Sequence, residues 1–144
     1  MTDAQRRWTA KKRLLEIEEL DNLIDAKQEI LDNLHHLSKE SVRAVNEVAR
    51  GQDIKTYDPS SNAIAAKVDF PTEINTDIDR LVDLRREIYR EIRQVTDKKQ
   101  RALLIRRYIL LNSWEKIADK LGYTERHAHR LHDDSLDTFA GIIL

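Results

Sequence analysis

Apolar residues along this chain recur at alternating spacings of three and four, the period of one face of an α-helix. From Leu14 to about Val48 the stripe is Ile17, Leu20, Ile24, Leu31, Leu34, Val45 and Val48, widened on one side by Leu23, Ile30 and Leu37. This predicts a long first helix with a coiled-coil-like seam. Lys27, Ser38 and Ser41 interrupt the seam, so a bend or fraying is expected after Leu37. The period lapses between Gly51 and Thr72, a stretch that holds both prolines, and a flexible loop is expected at about 51–72, with Thr72 capping the next helix. That second long helix is predicted over 73–95, where Ile74, Ile78, Leu81, Ile88, Ile92 and Val95 repeat cleanly and only Arg85 breaks the stripe. Folding back antiparallel on the first helix would bury both seams. Arg85 would then pair with an acid of helix one, Glu29 or Asp32, or extend its guanidinium to water along an apolar stem.

A third helix is expected from a cap at Thr96 or Asp97 to about Leu111, with Leu103, Leu104, Tyr108 and Leu111 inward. The stretch Ser113–His132 then carries the most specific pattern. Trp114, Ile117, Ala118 and Leu121 hold helical spacing, Gly122 breaks it, and Ala128, Leu131 and Leu136 restart it. Two short helices joined by a tight turn result. Ala118 is small where the helices cross, Gly122 supplies the positive φ of a helix C-terminus, and Thr124 caps the second helix. With Ala128 and Leu131 inward, Thr124, Glu125, Arg126, His129, Arg130 and Asp133 point outward, the positions from which a helix-turn-helix reads the major groove. The second helix should end near Gly141, and the apolar tail Ile142, Ile143 and Leu144 should dock on the core.

Composition narrows the class. Three Gly, two Pro and 6% aromatics against 35% charged residues in 144 residues favour amphipathic helices. The expected fold is all-α, a long antiparallel helical hairpin (1–95) followed by a three-helix, helix-turn-helix module (96–144). No cysteine is present, which excludes disulfides and thiolate zinc sites and suits a reducing cytoplasm. The longest apolar runs, such as Tyr108 to Leu111, are too short to span a bilayer, and the polar start carries no secretion signal.

The net charge of −1 conceals an asymmetry. Residues 98–130 hold nine Lys/Arg against three acids, +6, which leaves −7 for the rest. Basic charge concentrated on one module is the footprint of phosphate contact, with Lys98, Lys99, Arg106 and Lys116 as phosphate-binding candidates. Near the start, Arg6, Arg7, Lys11, Lys12 and Arg13 form a second cluster, read either as a frayed, solvated helix start or as an arm touching DNA backbone; Trp8 beside it would pin the terminus or pack on a partner. His127, His129 and His132 invite a metal reading, but His127 and His129 lie ~200° apart on a helix, and His129 with His132 lacks a third fixed ligand. No metal or other cofactor is expected. Carboxylates on amphipathic helices make solvated faces rather than acid/base dyads, and no phosphate-binding glycine loop exists, so an enzyme is not expected.

The run RRYILLNSWEKIADKLGYTERHAHRLHDDSL (106–136) resembles the C-terminal helix-turn-helix of sigma factors, which reads the upstream promoter element. Together with INTDIDRLVDLRREIYREI (74–92) and QVTDKKQRALLIRRY (94–108), it resembles small phage and prophage proteins of Gram-positive bacteria, the late-transcription regulators of the ArpU and RinA kind. The likeness covers roughly residues 70–139. It implies structural roles for Trp114, Ile117, Ala118, Leu121, Gly122 and Leu131 and a reading face of Thr124, Glu125, Arg126, His129 and Arg130; Ala128 stands where the pattern usually has Val or Ile. The implied function is a sequence-specific, DNA-binding transcription regulator acting on late genes in the host cytoplasm. Expected partners are double-stranded DNA, a second copy of the chain through the long seams (a homo-oligomer, a dimer by default), and RNA polymerase. Two other classes fit less well. A small-terminase-like packaging protein usually places its DNA module first, and a sigma-like protein that touches only RNA polymerase would not need the basic face.

Overall fold

The computed structural model describes the backbone of residues 1–49 and 60–144 and the side chains of 1–40 and 69–144. The chain is all-α: α1 (Asp3–Ala49), α2 (Ser60–Ile92), α3 (Lys98–Leu104) continued by a π-helical turn (Ile105–Ile109), α4 (Trp114–Leu121) and α5 (Glu125–Ile143), with no strand among the described residues.

Several expected boundaries move. The chain start is an ordered helix rather than a frayed one, because Thr2 and Gln5 form a capping box: Gln5 N–H donates to Thr2 Oγ1 at 3.2 Å and Thr2 N–H to Gln5 Oε1 at 2.8 Å. α1 continues past Leu37 to Ala49. The expected loop at 51–72 lies outside the described residues over its first part, whereas its second part is the start of α2, with Pro71 inside the helix. Proline removes one N–H and crowds the preceding turn. Ala63, Ala65, Ala66 and Lys67 ahead of it are strong helix formers, and the helix carries through it. Thr72 is therefore interior, not a cap.

The chain divides into two compact units that do not follow the expected 95/96 boundary. One combines Met1–Asp21 with Arg80–Leu144, and the other is Asn22–Asp79. In the first unit the start of α1 and the end of α2 run antiparallel, with Ala10, Leu14, Ile17, Leu81, Ile88, Ile92 and Val95 all buried. Arg13 fixes their register: it donates to Glu91 at 2.8 Å, lies 3.6 Å from Glu87 and is steadied by Glu16. Arg85, six residues before Glu91, thus stands opposite a position six after Arg13, near Glu19. Glu29 and Asp32 are ten or more residues further along α1, ~15 Å at helical rise, and Arg85 makes no ion pair among the described residues. Its Nε is buried without a partner. In the second unit Lys27 does the registering, with Asp77 and Glu73 at 2.5 and 2.9 Å. The lysine that interrupts the apolar seam is thus satisfied by an acid across it.

The C-terminal part of the first unit is a three-helix module. Asp97 caps α3 by accepting from Gln100 N–H at 3.0 Å. Helix three does not reach Leu111 in regular form. Leu110 N–H donates to Ile105 O at 3.0 Å, Asn112 N–H to Arg106 O at 2.8 Å, and Leu111 takes φ 55. This widened turn leaves Leu110 exposed and Leu111 half-buried instead of in the core, and it ends the helix in a left-handed residue. Ser113 then caps α4 through Lys116 N–H at 3.2 Å. Gly122, at φ 72, closes it in a Schellman arrangement, with Tyr123 N–H on Ala118 O and Gly122 N–H on Asp119 O. Thr124 caps α5 by accepting from His127 N–H at 3.1 Å. α5 runs through Gly141 to Ile143 and leaves Leu144 exposed, so Ile142 and Ile143 belong to the helix rather than to a separate tail.

Candidate nucleic-acid interface

Ser113, Gly122 and Thr124, three caps close in sequence, set the angle at which α5 leaves α4. Behind the turn Ile117, Ala118, Leu121 and Ala128 are buried, as are Leu103 and Leu104 of α3 and Phe139 further along α5, where these three helices pack together. That packing fixes which side of α5 faces solvent. Thr124, Glu125, Arg126, His129 and Arg130 are all exposed, as is Asp133. Arg126 and Arg130, in the first turns of α5, make no ion pair or side-chain hydrogen bond among the described residues. Thr124 is the exception among the reading candidates, since its hydroxyl is engaged in the cap.

The three histidines have different neighbours. His127 stacks on Tyr123 at 4.0 Å between ring centroids, and His129 lies against Trp114 at 4.2 Å. His132 turns inward. It is only 7% exposed, with Nε2 2.5 Å from the Tyr108 hydroxyl and the Trp114 edge 4.8 Å away. It does so because Ala128, His132, Leu136 and Ala140 follow one another at i+4 on the buried side of α5, whereas Leu131, expected inward, is only half-buried. Burial, reinforced by the positive charge of Lys11, pushes the His132 pKa down to about 4, and burial raises that of Tyr108. A neutral imidazole and an intact phenol share one proton between Oη and Nε2. No group of three or more His, Asp or Glu with metal-binding geometry occurs among the described residues.

The phosphate candidates are dispersed around this face. Lys98 and Lys116 are exposed at the first turns of α3 and α4. Lys99 is anchored beside the α4–α5 turn, donating to Leu121 O at 3.4 Å with its ammonium 5.3 Å from the Tyr123 ring centre. Arg106 is half-buried and leans on Asn112 Oδ1 at 3.5 Å, which makes it the least available of the four. Arg107, which the sequence pattern did not single out, donates to Asn112 O at 3.1 Å and sits 4.9 Å from the Trp114 ring centre. It props the indole that in turn carries His129.

A second wall was also not legible as such. α1 begins alongside α5, where Arg7 grips Asp137 with two hydrogen bonds of 2.9 and 2.8 Å and lies 3.9 Å from Asp133. The Arg7 guanidinium holds the Asp137 carboxyl below its usual pKa. Trp8 is 61% exposed beside this contact. No helix among the described residues is long and apolar enough to cross a membrane. Comparison with protein-family models, curated proteins and solved structures gives no match.

Proposed function

We propose that this chain is a sequence-specific DNA-binding transcription regulator of the phage late-gene kind its sequence resembles, with α5 as the helix that enters the major groove. The observation that carries the reading is the pair Arg126 and Arg130, exposed and unpartnered among the described residues, directly outside the buried Ala128. An arginine kept exposed on a rigid, capped helix is placed to meet guanine O6 and N7 in a fork of two hydrogen bonds. The basic balance of residues 98–130 supplies the sequence-independent attraction. His129, backed by Trp114 and Arg107, adds a third side chain whose position is fixed before DNA arrives. The protein acts in the bacterial cytoplasm at the nucleoid, as a homo-oligomer, and with RNA polymerase as a further partner. Self-association is supported by Leu23, Ile30 and Leu37, three exposed apolar residues a heptad apart on α1.

Arg126→Ala and Arg130→Ala should each cost about 1–3 kcal/mol on the preferred site and relax base preference at one position. Lys98→Ala and Lys116→Ala should weaken binding to every sequence alike and lower the salt slope by about one. Salt titrations on a selected site and on a random duplex separate the two classes. If the folded, helical protein shows no salt-dependent DNA binding, with or without RNA polymerase, the reading fails and the polymerase-contact alternative replaces it.

A further inference from the structure

A helix with its side chains is ~10–12 Å wide and the major groove ~12 Å, so a recognition helix fills the groove it enters. A second helix packed beside it, with its axis ~8–10 Å away, then lies over the rim, where the phosphates are. In this protein the first three turns of α1 lie next to α5, held by Arg7 on Asp137 and Asp133. Between the two runs an open cleft of about 440 Å³, with Trp8 and Lys11 on the α1 wall and Trp114 and His129 on the other. His129 therefore belongs both to the cleft and to the exposed side of α5. Trp114 is the first residue of α4, the helix that in a helix-turn-helix crosses the DNA backbone.

The charges in the cleft are not balanced in the same way. Arg7 is committed to two acids of α5, which cancel it. Lys11 makes no ion pair among the described residues, and neither does Lys12, exposed beside it. Trp8, more than half exposed, offers an indole N–H and a flat apolar face with no hydrogen-bond or aromatic partner among the described residues.

From this arrangement we infer that the first three turns of α1 are a second arm of the nucleic-acid interface, in which Lys11 and Trp8 hold a backbone phosphate and its sugar on the rim of the groove that α5 enters. The arm rests on the reading of α5 as the groove helix. It carries no base specificity, because phosphates are the same in every sequence. It makes the interface two-sided in the chain, from residues near position 10 and residues near position 130.

The test uses the full chain, a random-sequence duplex and a duplex enriched by selection, each titrated against salt. Lys11→Gln should weaken both duplexes by the same factor, up to about tenfold near 0.1 M salt, and lower the salt slope by about one. Lys39→Gln, an exposed lysine of the other unit, should change neither. The fluorescence of Trp8, taken as the difference between the native protein and Trp8→Phe, should be quenched by either duplex. Unchanged affinity and slope in a folded Lys11→Gln protein, or a change in base preference, would overturn the arm while leaving the α5 reading intact. Absence of DNA binding by the native protein would instead remove the α5 reading, and the arm with it.

Discussion

His132 loses its water on folding, and the charged imidazolium loses more by this than the neutral ring. Its pKa falls from the ordinary 6.5 to about 4. Between those values the unfolded chain binds a proton that the folded chain refuses, so stability rises with pH from about 4 to about 6.5 and is lost as pH falls through that window. The difference is worth up to about 3 kcal/mol for a group this deeply placed. The expected outcome is a urea midpoint that drops between pH 6.5 and pH 4.5, with a much flatter profile for His132→Gln. The Arg7 guanidinium holds Asp137 below its ordinary value, so its contribution is lost at lower pH than that of His132. Tyr108→Phe strands Nε2 in the core without its one hydrogen-bond partner among the described residues. It should destabilise the protein by about 1–3 kcal/mol at neutral pH, measurable in the same titrations.

Among the elements, the turn between α4 and α5 is held by conformational preference rather than by packing. A Cβ at Gly122 would meet no atom within 4 Å, yet φ is +72. The cost of Gly122→Ala is therefore purely that of a left-handed backbone, about 1–2 kcal/mol, and Gly122→Asn should recover part of it. Thermal unfolding of the two variants checks this. Equal destabilisation by Ala and Asn would mean that something other than φ sets the cost. Loss of the turn would matter beyond stability, because the direction of α5 decides where Arg126 and Arg130 project.

For the molecule as a whole, the question is what the exposed apolar residues are for. Leu14 and Ile17 of the first seam are fully buried within the first unit. Leu23, Ile30 and Leu37 are 48%, 45% and 52% exposed and keep strict heptad spacing within the second unit. Among the described residues of α1, these are the apolar side chains placed to serve the proposed self-association. Ile30→Glu with Leu37→Glu should convert an oligomer to a monomer at micromolar concentration without loss of helix content, as judged by sedimentation and circular dichroism. A native protein that sediments as a monomer at high micromolar concentration would remove the oligomer from the proposal. Dissociation should also lower DNA affinity steeply, since a symmetric oligomer binds two half-sites with one entropic cost.

Short-range pattern in the chain was enough for the all-α class, the bounds of α4, the start of α5, and the exposure of Glu125, Arg126, His129 and Arg130. These depend on interactions within a few residues: helical period, side-chain caps at Asp97, Ser113 and Thr124, and the φ freedom of Gly122. Other features exist only once distant segments pack. That His132 is core and Leu131 only half-buried depends on Tyr108 and Trp114, which the chain brings to α5 from more than fifteen residues away. That the basic start of α1 lies beside α5 depends on Arg7 and Asp137, 130 positions apart. That Arg85 meets neither of its expected acids, Glu29 or Asp32, results from a register set elsewhere, by Arg13 and Glu91. A periodic stripe tells which side of a helix is apolar. It carries no information on which other helix covers that side, or at which turn, because that is fixed by contacts whose free energy appears only when distant segments meet.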